Sequence, residues 1–173
     1  MIYFDKVTKR YGDAVALEEI TLSVAPKEFI SIVGHSGAGK TTLLKLLLAE
    51  EKPTDGTVFF ESIDVNDLPN SALHYYRRKI GMVFQDFRLI PNKTAYENIA
   101  FAMEAAGRSD KEIASDVPYI LELVNLSDKS LHFPDQLSGG EKQRIAIGRA
   151  IINQPDLIVA DELGGFPLEP GDI

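Results

Sequence analysis

Apolar positions along this chain change their spacing part of the way through. In the first third, short apolar runs at residues 2–4, 20–24 and 29–33 alternate with turn-forming residues, Tyr11-Gly12-Asp13 and Pro26-Lys27. Such runs predict strands, with 29–33 read as a buried one. A further strand is expected at 57–60, after the turn Pro53-Thr54-Asp55-Gly56. Residues 42–48 carry leucines on one face and predict a helix. A helical stretch near 71–79 leads into a short strand at 81–84. Beyond it the pattern becomes mostly helical. Thr94-Ala95-Tyr96-Glu97, Ser109-Asp110-Lys111-Glu112 and Ser138-Gly139-Gly140-Glu141 each have the form of a capping box, opening helices that end near Gly107, near Leu123 and before Pro155. Pro118 lies inside the second, where it removes a backbone donor and predicts a kink. The run 157–160 reads as a buried strand closing on Asp161-Glu162. Strands, then a helical block over about 86–150, then a return to strand describe an α/β architecture with a helical subdomain. The whole of residues 1–173 is expected to form one domain, with an irregular tail at 163–173.

Composition narrows the classes open to it. The chain has 173 residues, 45% of them hydrophobic and 25% charged, as in an ordinary globular domain. Its net charge of −8 argues against a nucleic-acid surface. The one basic cluster, Arg77-Arg78-Lys79, reads as a solvated helix face. No cysteine is present, which excludes a disulfide framework and a thiolate metal site and fits a cytoplasmic setting. The first residues have no apolar core of signal-peptide length. No run approaches the roughly 18 apolar residues needed to span a bilayer, so a membrane role would come through a partner rather than by direct insertion. His35, His74 and His132 are scattered without ligand spacing.

The strongest chemical signal is Gly34-His35-Ser36-Gly37-Ala38-Gly39-Lys40-Thr41-Thr42, which fits G-x-x-x-x-G-K-[ST] between an apolar run and a helix. A chance match is on the order of one in a hundred for this length, given ordinary glycine frequencies. Gly34, Gly37 and Gly39 let successive backbone N–H groups converge on one anion, aided by the helix dipole. Lys40 supplies a mobile positive charge for the β- and γ-phosphates, and the Thr41 hydroxyl can ligate Mg²⁺. A nucleotide is therefore expected here. The second signal is Leu137-Ser138-Gly139-Gly140-Glu141 with Gln143-Arg144 following. It is a helix N-terminus with little side chain over its free N–H groups, which taken alone is also what a well-capped helix looks like.

Together these residues resemble the ATP-binding cassette (ABC) ATPase family. LSGGE is similar to the family's signature motif, and residues 157–161 with Glu162 are similar to its Walker B strand and catalytic carboxylate. Gln85, after the string GMVF, stands at the Q-loop position, and Tyr11 at the position of the adenine-stacking aromatic. The resemblance covers residues 1–162. It implies a P-loop NTPase fold with an N-terminal antiparallel β subdomain and an inserted α-helical subdomain, lacking the C-terminal part. It implies ATP and Mg²⁺ as cofactors, with His35, Ser36, Ala38 and Thr42 lining the loop beside the glycines and Lys40. Thr41 and Gln85 would ligate Mg²⁺, Asp161 would orient it through water, and Glu162 would polarise the attacking water. Ser138, Gly139 and Gly140 would face the nucleotide of a second subunit, making an ATP-dependent head-to-tail homodimer. The strings VGHSGAGKTTLLKLLLAEEKPTDG, RRKIGMVFQDFRLIPNKTAYENIAFAMEAAG and FPDQLSGGEKQRIAIGRAIINQPDLIVADE resemble the cell-division branch in particular. That implies an FtsX-like membrane subunit as partner and a peripheral position at the cytoplasmic face of the membrane. Lipoprotein- and macrolide-export branches share much of this pattern. Phe87, Leu89 and Ile90 are expected to form the apolar patch that receives the membrane subunit.

After Glu162 the pattern departs. The family has a D-loop, a helix, another strand and a switch histidine; here Leu163-Gly164-Gly165-Phe166-Pro167-Leu168-Glu169-Pro170-Gly171-Asp172-Ile173 follows, with no histidine. Weak or absent hydrolysis by this chain is the corresponding expectation, as is an exposed edge at 29–33. An ATP-binding module without turnover is therefore a competing reading. A chromosome-maintenance ATPase is another, disfavoured by the acidic charge and the lack of coiled-coil heptads.

Overall fold

Gly12 adopts φ 57 and turns the chain back on itself, so β1 (Ile2–Tyr11) and β2 (Ala14–Val24) close as an antiparallel hairpin with Ile2 opposite Val24 and Tyr11 opposite Ala14. In this computed structural model, which describes residues 1–161, the hairpin belongs to a four-stranded sheet of order β2-β1-β3-β4, with β3 at Asp55–Phe60 and β4 at Ile63–Asp64. Every pairing in that sheet is antiparallel. Both hairpin strands run further than the apolar runs that announced them. Register shifts between Phe4 and Val7 and between Val7 and Lys9 break the alternation, hiding the rest of the strand behind polar residues. Helix α1 (Lys40–Leu47) contacts β2 and β3 and buries Leu43, Leu46 and Leu47, while the sheet contributes the buried Phe4, Val7, Val58 and Phe60. Each such side chain stabilises the fold by about 1.5–3 kcal/mol relative to exposure.

Of the described residues, Met1–His74 form one compact unit and 75–161 a second. Helix α2 (Asn70–Arg78) runs across that boundary in sequence. In the second unit β5 (Ile80–Val83) and β6 (Leu157–Ala160) pair in parallel, Ile80 opposite Leu157 and Val83 opposite Ala160. Helices α3 (Ala95–Ala106), α4 (Asp110–Leu123) and α5 (Gly139–Ile151) pack on one another around Ile99, Met103, Val117, Leu121, Leu126 and Ile145, and α5 also lies against β5. The helix remains continuous through Pro118.

Residues 29–33 form no strand, against the buried strand expected from their apolar run. They are exposed, as expected of this run without a later strand beside it: Phe29 is 66% exposed and Val33 90% exposed. A buried strand needs a neighbour for its N–H and C=O groups. Among the described residues none pairs with this run, so it stays uncovered.

All three capping boxes form. Thr94, Ser109 and Ser138 accept from the backbone N–H of Glu97, Glu112 and Glu141, and each carboxylate accepts in return from the capping residue's own N–H at 2.7, 2.8 and 2.7 Å. Those backbone bonds, reinforced by the capping hydroxyls, hold all three carboxyls below the usual glutamate value. A depressed folded pKa contributes stability above the unfolded value, about 4.3 for Glu, and loses it as pH falls through the folded values. Helical content is therefore expected to hold from pH 7 to about 5 and to drop below about 4. Glu112→Gln should flatten that acid limb in a circular-dichroism pH titration.

Candidate functional site

In the glycine-rich loop Gly37 has φ 82 and Gly39 φ 87, left-handed values that side chains resist. Gly39 also passes so close to β2 that a Cβ would come within 2.5 Å of the Ala16 carbonyl oxygen. The loop runs through exposed Ser36 and Ala38 into the first turn of α1, where Lys40, Thr41 and Thr42 stand. The N-terminus of α1 carries no side-chain cap, unlike α3, α4 and α5. The Lys40 ammonium folds over the loop, donating to the Gly34 carbonyl at 2.7 Å and the His35 carbonyl at 3.1 Å. A cation thus sits above an uncapped helix dipole, the arrangement that holds a phosphate. The His35 ring turns aside: Nδ1 lies 2.8 Å from the Ser36 carbonyl oxygen.

Tyr11, in the same unit, ends β1 beside the hairpin turn and is 43% exposed. The Lys9 ammonium sits 4.9 Å from its ring centroid, itself held by Glu51 and the Lys52 carbonyl, each at 2.8 Å. One ring is thereby fixed in orientation by a cation.

The remaining predicted residues belong to the second unit. Gln85 follows β5 and Asp161 follows β6, and the Asp161 N–H donates to the Val83 carbonyl at 3.0 Å. Parallel pairing therefore brings these two residues to the same C-terminal edge, where open α/β sheets bind ligands. Their oxygen donors suit Mg²⁺, which takes few protein ligands. Glu162 lies outside the described residues. Ser138, Gly139 and Gly140 open α5 and are exposed, and a Cβ added at Gly139 would meet nothing within 4 Å. Among the described residues no packing requires that glycine.

The segment after Gln85, where an apolar patch is expected, is partly turned inward, with Phe87, Leu89 and Ile90 all half-buried. Phe87 and Arg88 adopt φ 59 and φ 45, turning the chain back, and Phe87 and Leu89 pack on Val83, Ala146 and Ala150. Two residues that periodicity did not single out hold this loop. Arg149 on α5 donates to the Phe87 and Arg88 carbonyls, both at 2.6 Å. Asn98 on α3, 0% exposed, bonds both backbone groups of Ile90 and the carbonyls of Lys93 and Thr94. Their only trace in the sequence is a polar residue on an otherwise apolar helical face. Phe87→Asp with Leu89→Asp is therefore expected to lower stability by about 2–4 kcal/mol, by putting charge into apolar packing. Denaturant unfolding at an unchanged midpoint would contradict the inward packing.

Comparison with known proteins follows the same lines. The ABC transporter family matches residues 17–163. The cell division ATP-binding protein FtsE of Bacillus subtilis (strain 168) is 46% identical over 166 residues, covering 95% of this chain and 73% of that protein. The methionine import ATP-binding protein MetN 1 of Pectobacterium atrosepticum is 46% identical over 147 residues, covering 85% of this chain but 43% of that protein. Among solved structures, the dimeric post-hydrolysis state of the ATP-binding cassette MJ0796 bound to ADP and Pi superposes with a TM-score of 0.83 at 39% identity, covering 94% of this chain and 74% of that one.

Proposed function

The chain belongs to the ABC transporter family, and from that we propose that it is the ATP-binding subunit of an FtsE/FtsX-like complex, coupling ATP binding and hydrolysis to a membrane partner in cell division. The observation that carries the nucleotide site is the uncapped N-terminus of α1 beneath the Lys40 ammonium. Backbone N–H groups from Gly34 to Thr42 wrap the phosphates, and Lys40 transfers its bonds from loop carbonyls to β- and γ-oxygens. Tyr11 stacks on adenine. Thr41 on the first unit and Gln85 with Asp161 on the second would be the residues to hold Mg²⁺, which would supply charge neutralisation at the phosphates. Glu162 polarises the attacking water. The bare turn Ser138-Gly139-Gly140 meets the nucleotide of a second copy, so that two ATP molecules are enclosed head to tail. Homologous MJ0796 is described as a dimer, which supports that reading.

None of the described helices is long and apolar enough to cross a membrane, so the proposed attachment is peripheral, at the cytoplasmic face. The likeness to MetN 1 favours a second reading, an import ATPase subunit with the same nucleotide chemistry. Co-expression with an FtsX-like membrane protein and, separately, with an importer's membrane subunit distinguishes them. Retention of the chain on the FtsX-like protein alone is the expected result; retention on the importer subunit alone would replace the cell-division reading.

A further inference from the structure

The loop between β5 and α3 is held open in a conformation it would not choose. Phe87 and Arg88 are consecutive, carry full side chains and both lie in the left-handed region. Local bonds leave the loop narrow: the Phe87 N–H reaches the Phe84 carbonyl at 3.0 Å and the Arg88 N–H the Asp86 carbonyl at 2.7 Å. The Arg88 side chain lies over the Phe84 ring at 3.9 Å and beside Asp86 at 3.4 Å, so it does not itself brace the backbone from outside. The brace comes from α5, 61 residues away in sequence from Arg88, where both terminal nitrogens of Arg149 meet the two strained carbonyls. Further on, Asn98 pins Ile90. Gln85, Asp86 and Arg88 are the exposed residues of a segment anchored on both sides.

We infer that Arg149 is a positioning residue for Gln85: its planar fork locks the strained Phe87-Arg88 backbone and so ties the presentation of Gln85 to the helix that begins with Ser138. This rests on the reading of Gln85 as a Mg²⁺ ligand. A lysine can donate to two carbonyls, as Lys40 does, but only from one rotatable nitrogen, without the fixed fork of a guanidinium. Glycine at position 88 removes the steric resistance to the left-handed conformation and lessens the need for the fork.

The test uses the full chain and its variants Arg149→Lys, Gln85→Ala and Arg149→Lys combined with Arg88→Gly. Two quantities are read: amide hydrogen exchange of residues 85–90, and ATP affinity with and without Mg²⁺. Arg149→Lys is expected to speed exchange of the loop amides about tenfold or more, while α3 and α4 amides keep their protection. It is expected to remove the same part of the Mg²⁺-dependent gain in ATP affinity that Gln85→Ala removes, with metal-free ATP affinity unchanged. Adding Arg88→Gly is expected to recover at least half of both losses. Loop exchange within twofold of the parent, or a Mg²⁺-dependent gain kept in full by Arg149→Lys while Gln85→Ala loses it, overturns the inference. Faster exchange throughout α3 and α4 would also overturn it, by making Arg149 a general support. If the parent chain binds no ATP, the nucleotide reading fails instead, and the exchange data still decide whether Arg149 holds the loop.

Discussion

Asn98→Ala is expected to destabilise the second unit by about 2–4 kcal/mol, because it strands the Ile90 N–H and the Lys93 carbonyl and removes a second donor from the Ile90 and Thr94 carbonyls. The side chain is 0% exposed; its oxygen accepts from the Ile90 N–H at 2.8 Å, and its amide nitrogen donates to the carbonyls of Lys93, Thr94 and Ile90 at 2.9, 3.0 and 3.2 Å. A buried group left without its partner costs about 1–3 kcal/mol. A small cavity beside the wholly buried Ile99 adds to that cost. Asn98→Asp is expected to do more damage, since a carboxylate cannot donate and would face three carbonyls. For a chain of this size the alanine variant should unfold roughly 10 °C lower. Thermal unfolding followed by circular dichroism checks it; a shift under about 2 °C would mean that the loop between β5 and α3 is held by something else.

Lys40→Ala is expected to lower ATP affinity about a hundredfold or more. The ammonium is committed only to the Gly34 and His35 carbonyls, exposed acceptors that water can serve, so its loss costs the folded chain little. Bound phosphates would lose a charge-assisted donor worth about 1.5–3 kcal/mol by itself, with further loss from charge left uncompensated. His35→Ala is the matched control, because that ring is turned toward the Ser36 carbonyl. Equilibrium filter binding of labelled ATP measures both. Equal affinity in parent and Lys40→Ala would remove the glycine loop from the nucleotide site.

Much of the helical block was legible because its ends are written in short-range chemistry. Ser109 with Glu112 starts α4 where the sequence said, and Gly107, at φ 80, ends α3. Strand 157–160 was legible as a strand, because a short apolar run bounded by Pro155 and an acidic pair has few other uses, but of the burial expected there only Val159 shows it. The run at 29–33 has the same apolar character, yet hydrophobicity reports a wish for burial and not the presence of a neighbour. Its outcome depends on pairing that no local window contains. The loop after Gln85 was misread for a backbone reason. The resemblance offered an apolar patch there without the backbone's path, and two left-handed residues at Phe87 and Arg88 turn Phe87 and Leu89 partly inward. Arg149 and Asn98 were missed because their partners are main-chain carbonyls, which look alike in every sequence. The turns of the glycine loop were legible, since left-handed backbone at Gly37 and Gly39 is what that spacing of glycines permits.

The central claim, that the segment from Gly34 to Thr42 together with Tyr11 forms an ATP site, is tested most directly by photolabelling the intact chain with 8-azido-ATP and mapping the modified peptides. The account predicts label on the peptide containing Tyr11, removed by excess ATP and absent from Lys40→Ala. Label confined to peptides of the second unit, or label that ATP does not displace, would contradict it.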